Sequence, residues 1–509
     1  MNITEEEVRR CTQLLEALIE DVALLATIPE DARIGLLSAA GRVSMPKRDD
    51  HARFRKAIRQ KEQKSKREHD RAVRAASQIR ALRNEAVFTA PQKLLPVQVA
   101  PQPERYLENP RNCYVCKAEY RKLHHFYDTL CWDCGEFNYA RRFQTAPLEG
   151  KTALITGGRV KIGYHASLMM LRSGAKVLVT TRFPSDAALR YAREPDFEQW
   201  AHRLQIHGLD LRHAPSVEIF ARHIERTHDR LDILINNAAQ TVRRPPGFYS
   251  HLLAGEQRPV SSLAPELQPL LQGHLECMNS LQETRELAAG TEGSSLAPTW
   301  RSADPAIGIR ASAALSLVPY SHEHEGDVEK LFPAGKLDAD LQQVDLRTVN
   351  SWRLTLSEVA TAEMLEVHLV NAVAPFILCG KLKPLMMRNR SEPGHIVNVS
   401  AMEGSFSRKT KTDKHPHTNM AKAALNMMTL TSAPDYAKSG IYMNAVDTGW
   451  VTDEDPMVHA ERKVQELDFQ PPLDIVDGAA RIIDPVFESI RTGQFVYGKF
   501  FKDYQPTDW

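Results

Sequence analysis

The sequence predicts an α/β protein: a doubly wound parallel sheet with a large insertion, preceded by a four-cysteine module and an N-terminal helical region. Three observations carry that prediction. From Leu148 onward, short β-branched runs alternate with helical patterns, as strands joined by crossover helices require. The first run leads into a glycine turn, Thr156-Gly157-Gly158-Arg159-Val160-Lys161-Ile162-Gly163, which opens onto a helical pattern. Four of the seven cysteines fall within 22 residues as two Cys-x-x-Cys pairs, a clustering that points to metal rather than to disulfides.

The 509 residues carry 65 Lys and Arg against 64 Asp and Glu, with 42% hydrophobic and 25% charged residues. That balance excludes wholesale disorder and a global field toward nucleic acid or anionic membrane. No run of 18 apolar residues occurs, and the opening segment MNITEEEVRR is acidic, so a cytoplasmic protein without a membrane segment is expected.

In chain order, Thr4-x-x-Glu7 is a capping box that starts a first helix, with Val8, Leu14, Leu15, Leu18, Ile19, Val22 and Leu25 at helical spacing. One face of it is expected to be buried. Pro29, Glu30 and Asp31 read as the first turn of a second helix, with Ile34, Leu36 and Leu37 inward and Gly41 at its end. Between residues 47 and 83, 14 Lys and Arg oppose 5 Asp and Glu with no Gly or Pro, which predicts a long, solvated, basic helix. Residues 1–85 are thus one helical region. Five prolines within 86–110 make 86–108 an extended linker.

Cys113-x-x-Cys116, 14 intervening residues and Cys131-x-x-Cys134 define a module at 109–142. Two thiolate pairs at that spacing can close a tetrahedral structural zinc site. Free thiols or a redox pair are the alternatives, and His124 or His125 could replace a thiolate. The short spacing from Cys134 to Leu148 places the module against the first strand of the sheet.

The sheet itself comes from seven runs: TALITG, KVLVTTR, IHGLDL, LDILINNA, GHIVNVSA, IYMNAVDTG and FVYGKFF. The fourth and fifth are too far apart for one connection, so residues about 243–345 form an insertion, a partly ordered lid or excursion with a helix within SLAPELQPLLQGHLECMNSLQETREL.

The glycine turn, Asp210-Leu211, Asn236-Asn237-Ala238-Ala239, Asn371 and Lys422 together resemble the short-chain dehydrogenase/reductase family over residues 148–509, apart from the insertion. The resemblance implies a Rossmann-like domain and a nicotinamide dinucleotide held by Thr156, Gly157, Ile162 and Gly163 at the pyrophosphate, the middle glycine of the family's TGxxxGxG being replaced by Lys161. Arg182 ends the second strand where NAD-dependent members carry an acid, which favours the 2′-phosphate of NADP(H). Arg159 and Lys161 are candidate phosphate contacts. Asp210 and Leu211 are expected near the adenine, Asn237 and Ala238 along the cofactor, and Val451 and Thr452 at the nicotinamide.

The same resemblance implies a catalytic Ser, Tyr, Lys and Asn. Asn371 and Lys422 match, but Ala401 stands at the Ser position and Thr418 at the Tyr position, with Ser400 expected to face away. A threonine hydroxyl is too weak an acid to replace a phenol. His417 and His415 are the alternative proton donors, since imidazole titrates near neutrality. The acidic run Asp453-Glu454-Asp455 is expected to be solvated.

Two readings follow: an NADP(H)-dependent oxidoreductase with an altered proton donor acting on a small molecule, or a catalytically inactive NADP(H)-binding module acting on a protein partner. A nucleic-acid binder is disfavoured, because Phe54 is the lone aromatic in the basic stretch. Relatives of this type form homo-oligomers, an expectation that rests on the resemblance alone.

Overall fold

The computed structural model describes residues 3–83, 103–288, 304–320, 328–388, 392–408 and 410–509. The chain divides into two compact units, Met1–Asp70 and Arg71–Trp509. The expected boundary at residue 85 therefore moves to Asp70, and most of the expected linker lies outside the described residues.

The first unit is helical, with helices Glu5–Glu20 and Glu30–Ser44 and most of Arg48–Ala75. The Thr4 capping box forms as expected: Thr4 Oγ1 accepts the Glu7 N–H at 3.3 Å, and Glu7 Oε2 accepts the Thr4 N–H at 2.8 Å. Burial does not follow. No residue of the first two helices is buried, and Leu14, Ile34 and Leu37 are exposed, because three short helices cannot enclose a core. The second helix runs past Gly41 to Ser44.

The second unit opens with the end of the basic stretch. This end is not solvated: Arg80 is buried between Asp128 at 2.7 Å and Asp468 at 2.6 Å, and Arg83 donates to the carbonyls of Pro471 and Leu473. An antiparallel hairpin, β1 (Tyr106–Asn112) and β2 (Glu119–Lys122), and the helix Trp132–Arg141 carry the four cysteines. The module thus begins at Tyr106, earlier than the predicted 109.

The sheet has eight strands. They are β3 (Thr152–Thr156), β4 (Lys176–Thr181), β5 (Leu204–Gly208), β6 (Ile233–Asn236), β7 (Gly394–Ser400), β8 (Ile441–Asp447), β9 (Phe500–Lys502) and β10 (Gln505–Thr507), in spatial order β10-β9-β8-β7-β6-β3-β4-β5. All pairings are parallel except β9–β10. The seventh predicted run shrinks to Phe500–Lys502, and a hairpin through Asp503 and Tyr504, both at positive φ, adds an eighth strand. The chain starts at β3, winds outward to β5 and returns through β6. The strand order reverses between β3 and β6, where open α/β sheets bind ligands at their carboxyl ends.

Central strands are buried on both faces; every residue of β3, β6 and β7 is buried, which is why they are rich in Ile, Leu and Val rather than alternating with exposed polar residues. Helices Lys161–Arg172 and Ile475–Thr492 cover one face; Ala214–Thr227, Ala374–Met387 and Pro416–Ala437 cover the other. The helical run Thr361–Met387 is long and apolar enough to cross a membrane by composition, but half of it is buried within the protein.

The insertion is more than an excursion. Its helix Gln268–Ala288 places Leu270 and Leu271 in the same core as β3–β5. Residues 289–303, including most of the Gly- and Ser-rich segment, lie outside the described residues.

The cysteine module packs on the helix Ile475–Thr492 rather than on the first strand. Asp474 and Asp477 form a capping box there, and buried Arg142 binds both, at 2.7 and 2.9 Å. Tyr127 donates to Asp477 at 2.5 Å.

Candidate active site

A cavity of about 1470 Å³ opens at the carboxyl ends of the strands. Its floor is the glycine turn. A Cβ on Gly157, at φ +72°, would lie 3.0 Å from the Ala238 Cα, and one on Gly163 would lie 2.3 Å from the Gly157 carbonyl oxygen. The Asn237 side chain donates to the carbonyls of Thr156 and Gly157 at 2.9 and 3.3 Å, and the Thr156 hydroxyl accepts the Ala238 N–H at 3.0 Å. This cradle precedes the helix Lys161–Arg172, which has no side-chain cap. Its first-turn N–H groups and positive dipole end remain available to an anion. Ile162 and Gly163 line the cavity, and Lys161 lies in the left-handed region at φ +54°. A lysine holds the conformation that the missing glycine would adopt without strain.

Arg182 stands at one end of the cavity. It donates to the Ser316 hydroxyl at 3.0 Å and the Tyr249 hydroxyl at 2.8 Å, its guanidinium 4.7 Å from the Tyr249 ring centroid. Both partners belong to the insertion, which therefore positions the residue expected to read the 2′-phosphate. Burial acts to raise the Tyr249 phenol, but Arg182, Arg244 and Arg159 outweigh it and hold the group below its ordinary value. Arg159 lines the cavity, its buried guanidinium paired through Nη1 with Asp186 at 2.6 Å. Asp210 and Leu211 line the cavity, with Asp210 held by Arg212 at 2.6 Å.

At the other end the predicted catalytic residues separate. Lys422 is buried and donates to the Val399 carbonyl at 2.7 Å; burial, against Glu403 and Asp447, brings its ammonium down to about 8. Thr418 lines the cavity, its buried hydroxyl without a partner among the described residues. His415 also lines it, at φ +43°, its ring stacked on Trp352 at 3.8 Å and bonded to Asn419 at 3.1 Å. His417 does not line it. It is buried toward His368, and burial pushes its imidazole down to about 4. A histidine held neutral away from the cavity does not suit the proton-donor role.

Asn371 lies in a π turn, Leu369–Val373. Its amide is bonded to the Gln240 backbone, accepting at 2.7 Å and donating at 3.0 Å, and it is not among the cavity-lining residues. It fixes the loop after β6. Ser400, expected to face away, lines the cavity beside Ala401, its hydroxyl unpartnered among the described residues. Val451 and Thr452 line it too, the Thr452 hydroxyl donating to Glu454 at 2.8 Å. The acidic run is not solvated: Lys463 binds Asp453 at 2.9 Å and Asp455 at 2.5 Å.

Two lining residues were not singled out from the sequence. Asp447 ends β8, buried, with Oδ1 accepting the Met402 N–H at 3.3 Å. Burial, with Glu403 and Asp503, lifts its carboxyl to about 6. A carboxyl just before the Thr448-Gly449 turn was legible as a signal. Tyr114 was not, because it lies inside the first Cys-x-x-Cys pair and only tertiary packing brings it to the cavity.

The Sγ atoms of Cys113, Cys116, Cys131 and Cys134 lie within 4.8 Å of one another, with Cys116 and Cys131 at 3.7 Å. A tetrahedral ion with metal–sulfur bonds of about 2.3 Å sets sulfurs about 3.8 Å apart, so the four fit one metal with no open position. His124 does not join them. Its Nδ1 accepts the Phe126 and Tyr127 N–H groups, and its Nε2 faces Glu136 at 3.0 Å.

Comparison with known proteins adds two segments. Residues 151–251 match the family model described as short chain dehydrogenase, and residues 335–468 match the one described as Enoyl-(Acyl carrier protein) reductase. The stretch between the matches falls within the insertion. Uncharacterized protein R665 of Acanthamoeba polyphaga mimivirus is 29% identical over 406 residues, 78% of this chain and 74% of that protein. Short-chain dehydrogenase/reductase pyiH of Pyricularia grisea is 25% identical over 223 residues, 43% of this chain and 82% of its own. NADPH-bound carbonyl reductase from chicken fatty liver aligns at a TM-score of 0.41 and 15% identity, covering 71% of this chain and 100% of that one. On either side of the insertion, the α/β region of this chain is thus similar to short chain dehydrogenases at 151–251 and to the Enoyl-(Acyl carrier protein) reductase model at 335–468.

Proposed function

We propose that this chain is an NADP(H)-dependent oxidoreductase whose proton donor is not the family's tyrosine, and that its four cysteines hold a structural zinc. The observation that carries the reading is one continuous cavity with the Gly157–Gly163 cradle, Arg182 and Lys422 all in its wall. The turn and the uncapped helix bind a pyrophosphate through backbone N–H groups. Arg182, pre-oriented by Tyr249 and Ser316, meets a 2′-phosphate with its remaining donors. Lys422 places a cation at the reacting end. A bound nicotinamide supplies hydride chemistry.

The test is a fluorescence titration of metal-replete protein with NADPH and with NADH, expected to show tight NADPH and weak NADH binding, followed by NADPH oxidation with carbonyl probes that is lost in Lys422→Ala. Equal affinity for both nucleotides removes the Arg182 assignment. Ala401 and Thr418 at the Ser and Tyr positions favour a second reading, an inactive NADP(H)-binding sensor or scaffold acting through a protein partner. NADPH binding without turnover of any carbonyl or activated-alkene probe, together with an altered protease pattern of the insertion, decides for it.

A further inference from the structure

The oxidoreductase reading leaves two vacancies, a donor to orient the substrate oxygen and an acid to protonate it. We propose that Tyr114 of the cysteine module and Asp447 at the end of β8 fill them, Tyr114 as the orienting hydroxyl and Asp447 as the proton donor.

Both residues line the same cavity as Lys422 and Thr418. Asp447 pairs across the sheet with Ser400, the residue before Ala401, and its Oδ1 binds the Met402 N–H just beyond it. Its carboxyl thus stands beside the position where the family's serine is missing. Tyr114 arrives from the cysteine module, close enough for the Asp447 charge to act on its hydroxyl. Its backbone is fixed by an N–H donated to the Thr129 carbonyl at 2.9 Å, and its ring lies 5.1 Å from the Lys117 Nζ. The hydroxyl accepts the Trp450 N–H at 3.0 Å, and its own proton has no acceptor among the described residues. A half-buried, cavity-lining O–H that already accepts one hydrogen bond is oriented to donate to an incoming oxygen.

The groups around Asp447 come from every neighbouring element: Glu403 after β7, Lys422 on the helix Pro416–Ala437, Lys502 and Asp503 of the β9–β10 hairpin, and Tyr114. Burial and the two acids outweigh Lys502 and lift the carboxyl to about 6, so near-neutral solution holds it in both forms, as a general acid requires.

The step balances. The carbonyl carbon of an aldehyde or ketone accepts the hydride equivalent of the reduced dinucleotide, and the C=O π pair moves to oxygen. That oxygen, held by the Tyr114 O–H, takes the proton of Asp447. The product is an alcohol, and the Asp447 carboxylate regains a proton from water. In the reverse direction the carboxylate acts as base.

Two readouts test this. In nucleotide-free full-length protein, infrared difference spectra across pH 5 to 7 are expected to show a protonated-carboxyl band that includes Asp484, also lifted to about 6, and that loses the intensity of one carboxyl in Asp447→Asn, whose side-chain oxygen can still accept the Met402 N–H. With NADPH and 4-nitrobenzaldehyde, Asp447→Asn is expected to lose about 100-fold in kcat and the fall in rate above pH 6, with NADPH affinity unchanged. Tyr114→Phe is expected to raise KM for the aldehyde about tenfold while keeping the wild-type pH profile and metal content. An infrared band of undiminished intensity in Asp447→Asn, or a variant that keeps the wild-type rate and profile, overturns the Asp447 assignment alone; an unchanged KM in Tyr114→Phe overturns that of Tyr114. Wild-type protein that binds NADPH yet reduces no carbonyl probe overturns the oxidoreductase reading on which the proposal rests.

Discussion

The Tyr114 hydroxyl accepts the Trp450 backbone N–H at 3.0 Å, so a residue from within a Cys-x-x-Cys motif is part of the loop that follows β8. The two residues are 336 positions apart in sequence. The same module holds the start of the helix Ile475–Thr492 through Tyr127 and Arg142, and Arg80 at the end of the basic stretch holds Asp468 before it. The segment 448–473, which contains the helix Met457–Leu467, is therefore held by the module that carries the four cysteines.

Metal removal should loosen that clamp before it unfolds the sheet. Treatment with a chelator, or Cys131→Ser, is expected to accelerate hydrogen exchange in residues 448–473 about tenfold while β3, β6 and β7 keep their protection, because a small metal module loses its folding free energy with its ion. Peptide-resolved exchange with and without zinc checks it.

Arg142 lies between Asp474 and Asp477, all three buried. Arg142→Ala leaves two carboxyls without their cation and is expected to cost about 3–5 kcal/mol, read as a lower denaturant midpoint.

Lys161 adopts φ +54° in the glycine turn. Lys161→Gly is expected to stabilise the protein by about 1 kcal/mol, since glycine occupies that region without a Cβ penalty. Equilibrium denaturation measures the gain.

Arg182→Ala removes the charged donor held by Tyr249 and Ser316. A loss of about 10- to 100-fold in NADPH affinity is expected, the size of one or two charge-assisted hydrogen bonds, with NADH affinity unchanged. Paired titrations check it.

Burial pushes His417 from about 6.5 to about 4 in the folded protein. The unfolded chain thus binds its proton first, and the stability this residue contributes is present above pH 6.5 and lost progressively as pH falls to 4. The loss reaches about 3 kcal/mol. His417→Leu is expected to remove one proton's share of the fall in denaturant midpoint between pH 6.5 and 4, the rest persisting because His228 and His274 are also pushed down to about 4.

The sheet, the glycine turn and the four-cysteine set were legible because each is written locally. A doubly buried strand such as β3 does not alternate with exposed polar residues, a phosphate cradle needs glycines where Cβ atoms would collide, and a metal site needs thiols at fixed spacing. Arg182 was legible as the residue ending β4, although its anchoring by Tyr249 was not. The errors have a common cause. Asn371 and His417 were assigned from position in a motif, and neither lines the cavity: Asn371 is bonded to the Gln240 backbone and His417 is buried.

By itself, then, the sequence determined the α/β class, the dinucleotide turn and the grouping of four cysteines, all set by residue periodicity and short-range sterics. Only the tertiary structure decided that the insertion would orient Arg182, that the cysteine module would grip the helix Ile475–Thr492, and that Tyr114 and Asp447 would share a cavity with Lys422. Those relationships depend on which surfaces exclude water against one another across hundreds of residues, and no local pattern records such a pairing.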